Sequence, residues 1–180
     1  MVNDSRLILI GSGGRNSGKT HLAVKLISQY AKQGVYALKV TGVEALGLCC
    51  ARGGEGCGAC RLEQDYVLIR EADASAAKDT SLMLAAGARE VWWLRSLRDV
   101  MEKAYRDFSA RIPAGALVIA ESNSLRHFVQ PALFIMLTDP AAPCKKSAAE
   151  VAAYADFDVT PPLDDKTLAA IVKKVPLVNV

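Results

Sequence analysis

Residues 7–20 read Leu7-Ile8-Leu9-Ile10-Gly11-Ser12-Gly13-Gly14-Arg15-Asn16-Ser17-Gly18-Lys19-Thr20, and they decide the fold. Leu7 to Ile10 has the length and composition of a buried strand. From Gly13 to Thr20 the chain matches G-x-x-x-x-G-K-[ST] in full. After it, Leu22, Ala23, Leu26, Ile27 and Tyr30 recur at helical spacing, so a helix is expected from about Lys19 to Lys32, with Gly34 as its stop. Strand, glycine loop and helix in that order form a phosphate cradle. Glycines let backbone N–H groups turn inward with no Cβ in the way, and the helix N-terminus adds partial positive charge at the same point. Gly13, Gly14, Arg15, Asn16, Ser17 and Gly18 are the expected cradle. Lys19 is expected to reach the β- and γ-phosphates and the Thr20 hydroxyl to ligate Mg²⁺.

Outward from this stretch, short apolar runs alternate with amphipathic ones. Strands are expected at Val35–Val40, Tyr66–Ile69, Glu90–Leu94, Ala116–Ala120 and Leu133–Thr138, and helices at Asp79–Ala86, Leu97–Phe108, Ser147–Ala155 and Asp164–Lys173. This is the signature of an α/β chain, a three-layer α/β/α P-loop fold with a mostly parallel sheet. At 180 residues it suits one nucleotide-binding domain. A metal-binding P-loop also needs an acidic partner, and Glu121 is placed for it, at the end of the apolar run Ala116 to Ala120. A solvated loop carboxylate is the plainer reading. His21 and His127 read as surface residues. Of Trp92 and Trp93, one is expected to face the core and the other a helix or partner surface.

Composition narrows the class. Hydrophobic residues make up 51% and charged residues 23%, the balance of a globular protein. The net charge of +3 is small and its lysines and arginines are scattered, which argues against nucleic acid as a partner. No apolar run approaches the ~20 residues that a membrane helix needs. The N-terminus does not read as a secretory signal, so a cytoplasmic location is expected.

Four of the five cysteines fall between Cys49 and Cys60, in a glycine-rich stretch from Thr41 to Arg61 that shows no period and reads as a long functional loop. Cys57 and Cys60 have the C-x-x-C bite used for Zn²⁺ or an iron–sulfur cluster. Cys50 and Cys49 are available as further thiolates, as are Cys144 and a second subunit in a homodimer. A thiol–disulfide couple and simple reduced loop cysteines are the competing readings.

Several separated matches resemble the MobB family, the molybdopterin-guanine dinucleotide biosynthesis proteins B. They are the Ser17-Gly18-Lys19-Thr20 core, Lys39 at the end of the second strand, Lys78-Asp79-Thr80 followed by Ala86-Gly87-Ala88, and the strand ending in Glu121. Together they cover Leu7 to about Asn123, roughly two-thirds of the chain. The resemblance implies a GTP-binding P-loop protein with slow hydrolysis that serves molybdenum or tungsten pterin cofactor biosynthesis with a partner protein. It puts Lys39 and Asp79 on the ligand side of the sheet; without it they read as a strand-end lysine and a helix N-cap. The chain departs from the family in two places. Glu121-Ser122-Asn123 stands where the family has Glu-Gly and an aromatic, and cysteines replace histidines after the second strand, so the ligand is open to differ. Gly14 also stands where dimer-activated ATPases carry an extra lysine. No Asn-Lys-x-Asp segment secures guanine, so GTP precedes ATP only by resemblance. Asp139, in Leu137-Thr138-Asp139-Pro140, reads either as a contact to a guanine edge or as a turn residue. A small-molecule kinase and a zinc-stabilised regulatory module are the alternatives of other classes.

Overall fold

The structure, a computed structural model, describes residues 1–14, 17–47 and 61–176. Among these residues it is an α/β protein built on one sheet of seven strands: β1 (Val2–Ser12), β2 (Tyr36–Val43), β3 (Tyr66–Arg70), β4 (Glu90–Leu97), β5 (Val118–Glu121), β6 (Val129–Leu137) and β7 (Phe157–Val159). Five helices accompany it: α1 (Lys19–Tyr30), α2 (Asp79–Ala85), α3 (Met101–Ala110), α4 (Lys146–Ala152) and α5 (Asp165–Lys174). The strand order is β3-β4-β2-β5-β1-β6-β7, parallel throughout except for the antiparallel edge strand β3.

The period of two along β1 shows why three layers form. Ile8 and Ile10 join a buried cluster with Leu22, Leu26 and Ile27 of α1, Met83 of α2 and Ile171 of α5. Leu7 and Leu9 point to the other face, where Met101, Tyr105 and Phe108 of α3 and Val151 of α4 cover them. Each such fully buried side chain contributes about 1.5–3 kcal/mol, so both faces of the sheet must be roofed.

Element boundaries moved where pairing outweighed local pattern. β1 begins at Val2, because Val2, Asn3 and Asp4 pair with Val129 to Pro131 of β6 before a register shift between Asp4 and Ile8. α3 starts at Met101 rather than Leu97: Leu97 pairs with Val43, and its N–H donates to Asp65 O at 2.9 Å, which holds it in the sheet. β7 has only three residues, too few for alternation to register in sequence. Trp92 packs half-buried against the cluster on the α3 side, and Trp93, also half-buried, donates to Thr41 Oγ1 at 3.0 Å. No helix among the described residues is long and apolar enough to cross a membrane.

Candidate functional site

β1 ends at Ser12, directly beside β5 on one side and β6 on the other, and the glycine loop leaves the sheet between them. Gly18 precedes α1 with φ +85°, a left-handed conformation that a side chain would strain. The loop is pinned at Gly13, whose N–H donates to Leu137 O and whose carbonyl accepts from Lys145 N–H, both at 2.9 Å. Lys19 folds back so that Nζ donates to Ser12 Oγ at 2.6 Å, and that hydroxyl donates to Gly14 O at 2.9 Å. Ser17 Oγ donates to the same carbonyl at 3.2 Å. Burial pushes the Lys19 ammonium below its ordinary range. Glu121 opposes that shift, and Lys145 and Lys39 add to it.

Lys39 and Glu121 meet because they are register partners on the parallel pair β2–β5. Partners on neighbouring strands lie about 4.8 Å apart and project to the same face. Lys39 Nζ stands 3.0 Å from Glu121 Oε1, and Thr20 Oγ1 donates to Glu121 Oε2 at 2.9 Å. Glu121 is 4% exposed, so the two partners replace its lost hydration. Lys39 is also paired with Asp79 at the start of α2. A continuous chain of polar contacts thus runs Thr20–Glu121–Lys39–Asp79.

Two sequence expectations need correction here. Lys39 lies inside β2, which continues to Val43, rather than at the strand's end. Asp79 is the first helical residue of α2, not its N-cap. Lys78 holds the N-cap position with no side-chain cap, and the Asp79 carboxylate turns to Lys39 instead. Arg15, Asn16, Cys49, Cys50, Cys57 and Cys60 lie outside the described residues.

A cleft of about 530 Å³ opens in front of this chain, bordered also by Ser17 to His21 and by Lys145. Beside the glycine loop, on the β6 side, is a cavity of about 290 Å³ walled by Thr138, Asp139, Pro143, Cys144 and Pro161. Asp139 acts as a turn residue, with Oδ1 accepting from Ala141 N–H at 2.9 Å, and it also lines this cavity. His127 lines neither space and sits 3.4 Å from Glu150. His21 is exposed on α1.

Sequence reasoning passed over Ser12 and the role of Asn123. The Asn123 amide holds both backbone polar groups of one residue, accepting from Ser12 N–H at 2.8 Å and donating to Ser12 O at 2.9 Å. It fixes the point where β1 becomes the loop. The clip also explains Gly11, where a Cβ would lie 2.5 Å from Met136 Sδ and 2.9 Å from Asn123 Oδ1. A lone Asn after a strand carries no sequence signal for such a contact.

The donor chemistry suits a hard cation: Thr20 and Glu121 offer two adjacent oxygens, and Mg²⁺ takes few protein ligands when phosphates and water supply the rest. Among the described residues no group of three or more His, Cys, Asp or Glu converges as a metal site. Comparison with family models, with curated proteins and with solved structures returned no match.

Proposed function

We propose that this chain binds a purine nucleoside triphosphate with Mg²⁺, GTP ahead of ATP, and hydrolyses it slowly. The observation that carries the reading is the Thr20–Glu121–Lys39–Asp79 chain set beside residues whose sequence matches G-x-x-x-x-G-K-[ST] in full. Loop amides and Lys19 hold the phosphates, and the phosphate charge offsets the burial that disfavours the Lys19 ammonium. Thr20 and Glu121 would hold Mg²⁺, which supplies charge neutralisation on the β- and γ-phosphates. Slow turnover follows from the carboxylates themselves: Glu121 is engaged by Thr20 and Lys39, and Asp79 by Lys39, so neither stands ready as a base for water. The cavity beside Asp139 is the proposed seat of the base.

The role proposed for this binding is maturation or delivery of a metal-containing cofactor, a molybdenum or tungsten pterin, together with a partner protein. It rests on the MobB-like motifs and on the cysteine-rich stretch. Metal capture by those thiols requires them reduced, so the proposed setting is the cytoplasm.

Calorimetric titration with GTP and ATP, with and without Mg²⁺, tests the nucleotide part. Mg²⁺ is expected to tighten binding about tenfold, and Glu121→Gln to abolish that gain, a loss of about 1.4 kcal/mol. Binding indifferent to Mg²⁺ in the native chain would sink it, and turnover that requires a metabolite acceptor would replace it with a kinase. Metal analysis of anaerobically purified protein beside Cys57→Ser and Cys60→Ser tests the delivery role, which predicts near-stoichiometric metal lost in both variants.

A further inference from the structure

Between β3 and α2 lies a buried carboxylate that the nucleotide reading does not use. Glu71 follows β3 directly, and its N–H donates to Val91 O at 2.8 Å, which ties it to β4. Its side chain is 8% exposed. Oε2 accepts from Thr80 Oγ1 at 2.5 Å and pairs with Lys78 Nζ at 2.9 Å. Oε1 accepts from the N–H groups of Ala72 and Asp73, both at 3.1 Å. One carboxylate oxygen therefore fastens both residues that flank Asp79.

Asp79 itself has little else to hold it. Its side chain is 41% exposed and makes no cap on α2. As the first helical residue, one past the N-cap position held by Lys78, Asp79 is favoured there by its charge but tied by no capping bond. Here residues 78 and 80 are held toward Glu71, and residue 79 between them is turned to Lys39.

We infer that Glu71 is a positioning residue that presents Asp79 to Lys39 and so sets the charge chain ending on Glu121 and Thr20. The inference deepens the nucleotide reading and takes its functional meaning from it. Burial raises the Glu71 carboxyl, yet the bonds from Thr80 and Lys78 outweigh it and bring it down to about 2, which favours the ionised form that the clamp uses.

The test uses the nucleotide-free full chain. Amine labelling with acetic anhydride, read by mass spectrometry, compares Lys39 with exposed Lys32 as internal standard. Glu71→Gln is expected to raise relative Lys39 labelling about fivefold, Asp79→Asn to do the same, and the double variant to add nothing further. Thr80→Val, which keeps the volume and removes one clamp bond, is expected to give a smaller increase and decides the matter if Glu71→Gln fails to fold. Lys39 labelling unchanged in Glu71→Gln or Thr80→Val, or increases that add in the double variant, would overturn the inference and leave Glu71 a brace of the β3–α2 connection. If the labelling pattern appears in a chain that binds neither GTP nor ATP, the nucleotide reading falls and the clamp stands.

Discussion

A buried acid meets a base at each end of β1, and the two meetings differ in how completely the acid is satisfied. At the start of the strand Asp4, 5% exposed, accepts from Arg6 Nε at 3.0 Å, Arg6 Nη2 at 2.8 Å, the Arg6 N–H at 3.0 Å and the Tyr105 hydroxyl at 3.0 Å. Arg6 also donates to Pro113 O at 3.0 Å. Beyond the other end, Glu121 is equally buried but among the described residues holds only Thr20 and Lys39, and it shares Lys39 with Asp79 in front of an open cleft. A saturated carboxylate acts as a bolt. One that shares its cation keeps acceptor capacity for a metal ion, with little loss to the fold.

The largest test of that contrast is Asp4→Asn. Removing one partner of a buried, bonded pair is expected to cost about 3 kcal/mol in urea unfolding while leaving GTP affinity within about twofold. Burial raises the Asp4 carboxyl, but the Arg6 bonds and charge outweigh it and hold it below the ordinary range. Its stabilisation is therefore full above the unfolded value of 3.8 and is lost as pH falls through the lower folded value. The variant should lose that acid limb; native-like acid unfolding would break the comparison at this end.

Lys19→Ala probes the other end, with an expected loss of GTP affinity of about 100-fold, roughly 2.7 kcal/mol for a charged hydrogen-bond partner. Stability should behave oppositely to Asp4. Burial depresses the Lys19 ammonium, so its charged form burdens the fold below the folded value, and that burden lifts as pH rises toward the unfolded 10.5. The melting midpoint of the variant is expected not to fall at neutral pH. In the native chain, GTP affinity should decline as pH rises through the lowered Lys19 value. A melting midpoint that drops as in Asp4→Asn would mean both ends are bolts.

The smallest effect sharpens the site on the β6 side. Asp139→Asn is expected to lower the preference for GTP over ATP about fivefold, on the scale of one net hydrogen bond of about 1 kcal/mol. Equal weakening toward both nucleotides would assign Asp139 to its turn alone.

What was legible divides along the same line. Period-two alternation at Leu7 to Ile10 and the helical spacing of Leu22 to Tyr30 are local, as are the glycines whose backbone demands precede α1. The strand–turn–helix order at residues 7–30 and the layered α/β class could be read from them. The edges of β1, β4 and β6 were not, because polar residues such as Asn3 and Asp4 enter a strand only when a partner strand pays out hydrogen bonds to them.

Residue types and spacing alone determined the glycine-rich turn after β1, the helix behind it and an acidic residue at the end of an apolar strand, since each depends on neighbours within one turn or one strand. Only the tertiary structure decided which groups meet. Lys39 faces Glu121 because β2 and β5 are adjacent in that register, across 82 residues of chain. Asn123 reaches Ser12 because β5 ends beside β1. Asp79 meets Lys39 while Glu71, anchored through β4, holds the residues on either side of it. Those contacts follow from strand order and register, which are fixed by burial summed over the whole sheet and so appear in no short window of sequence.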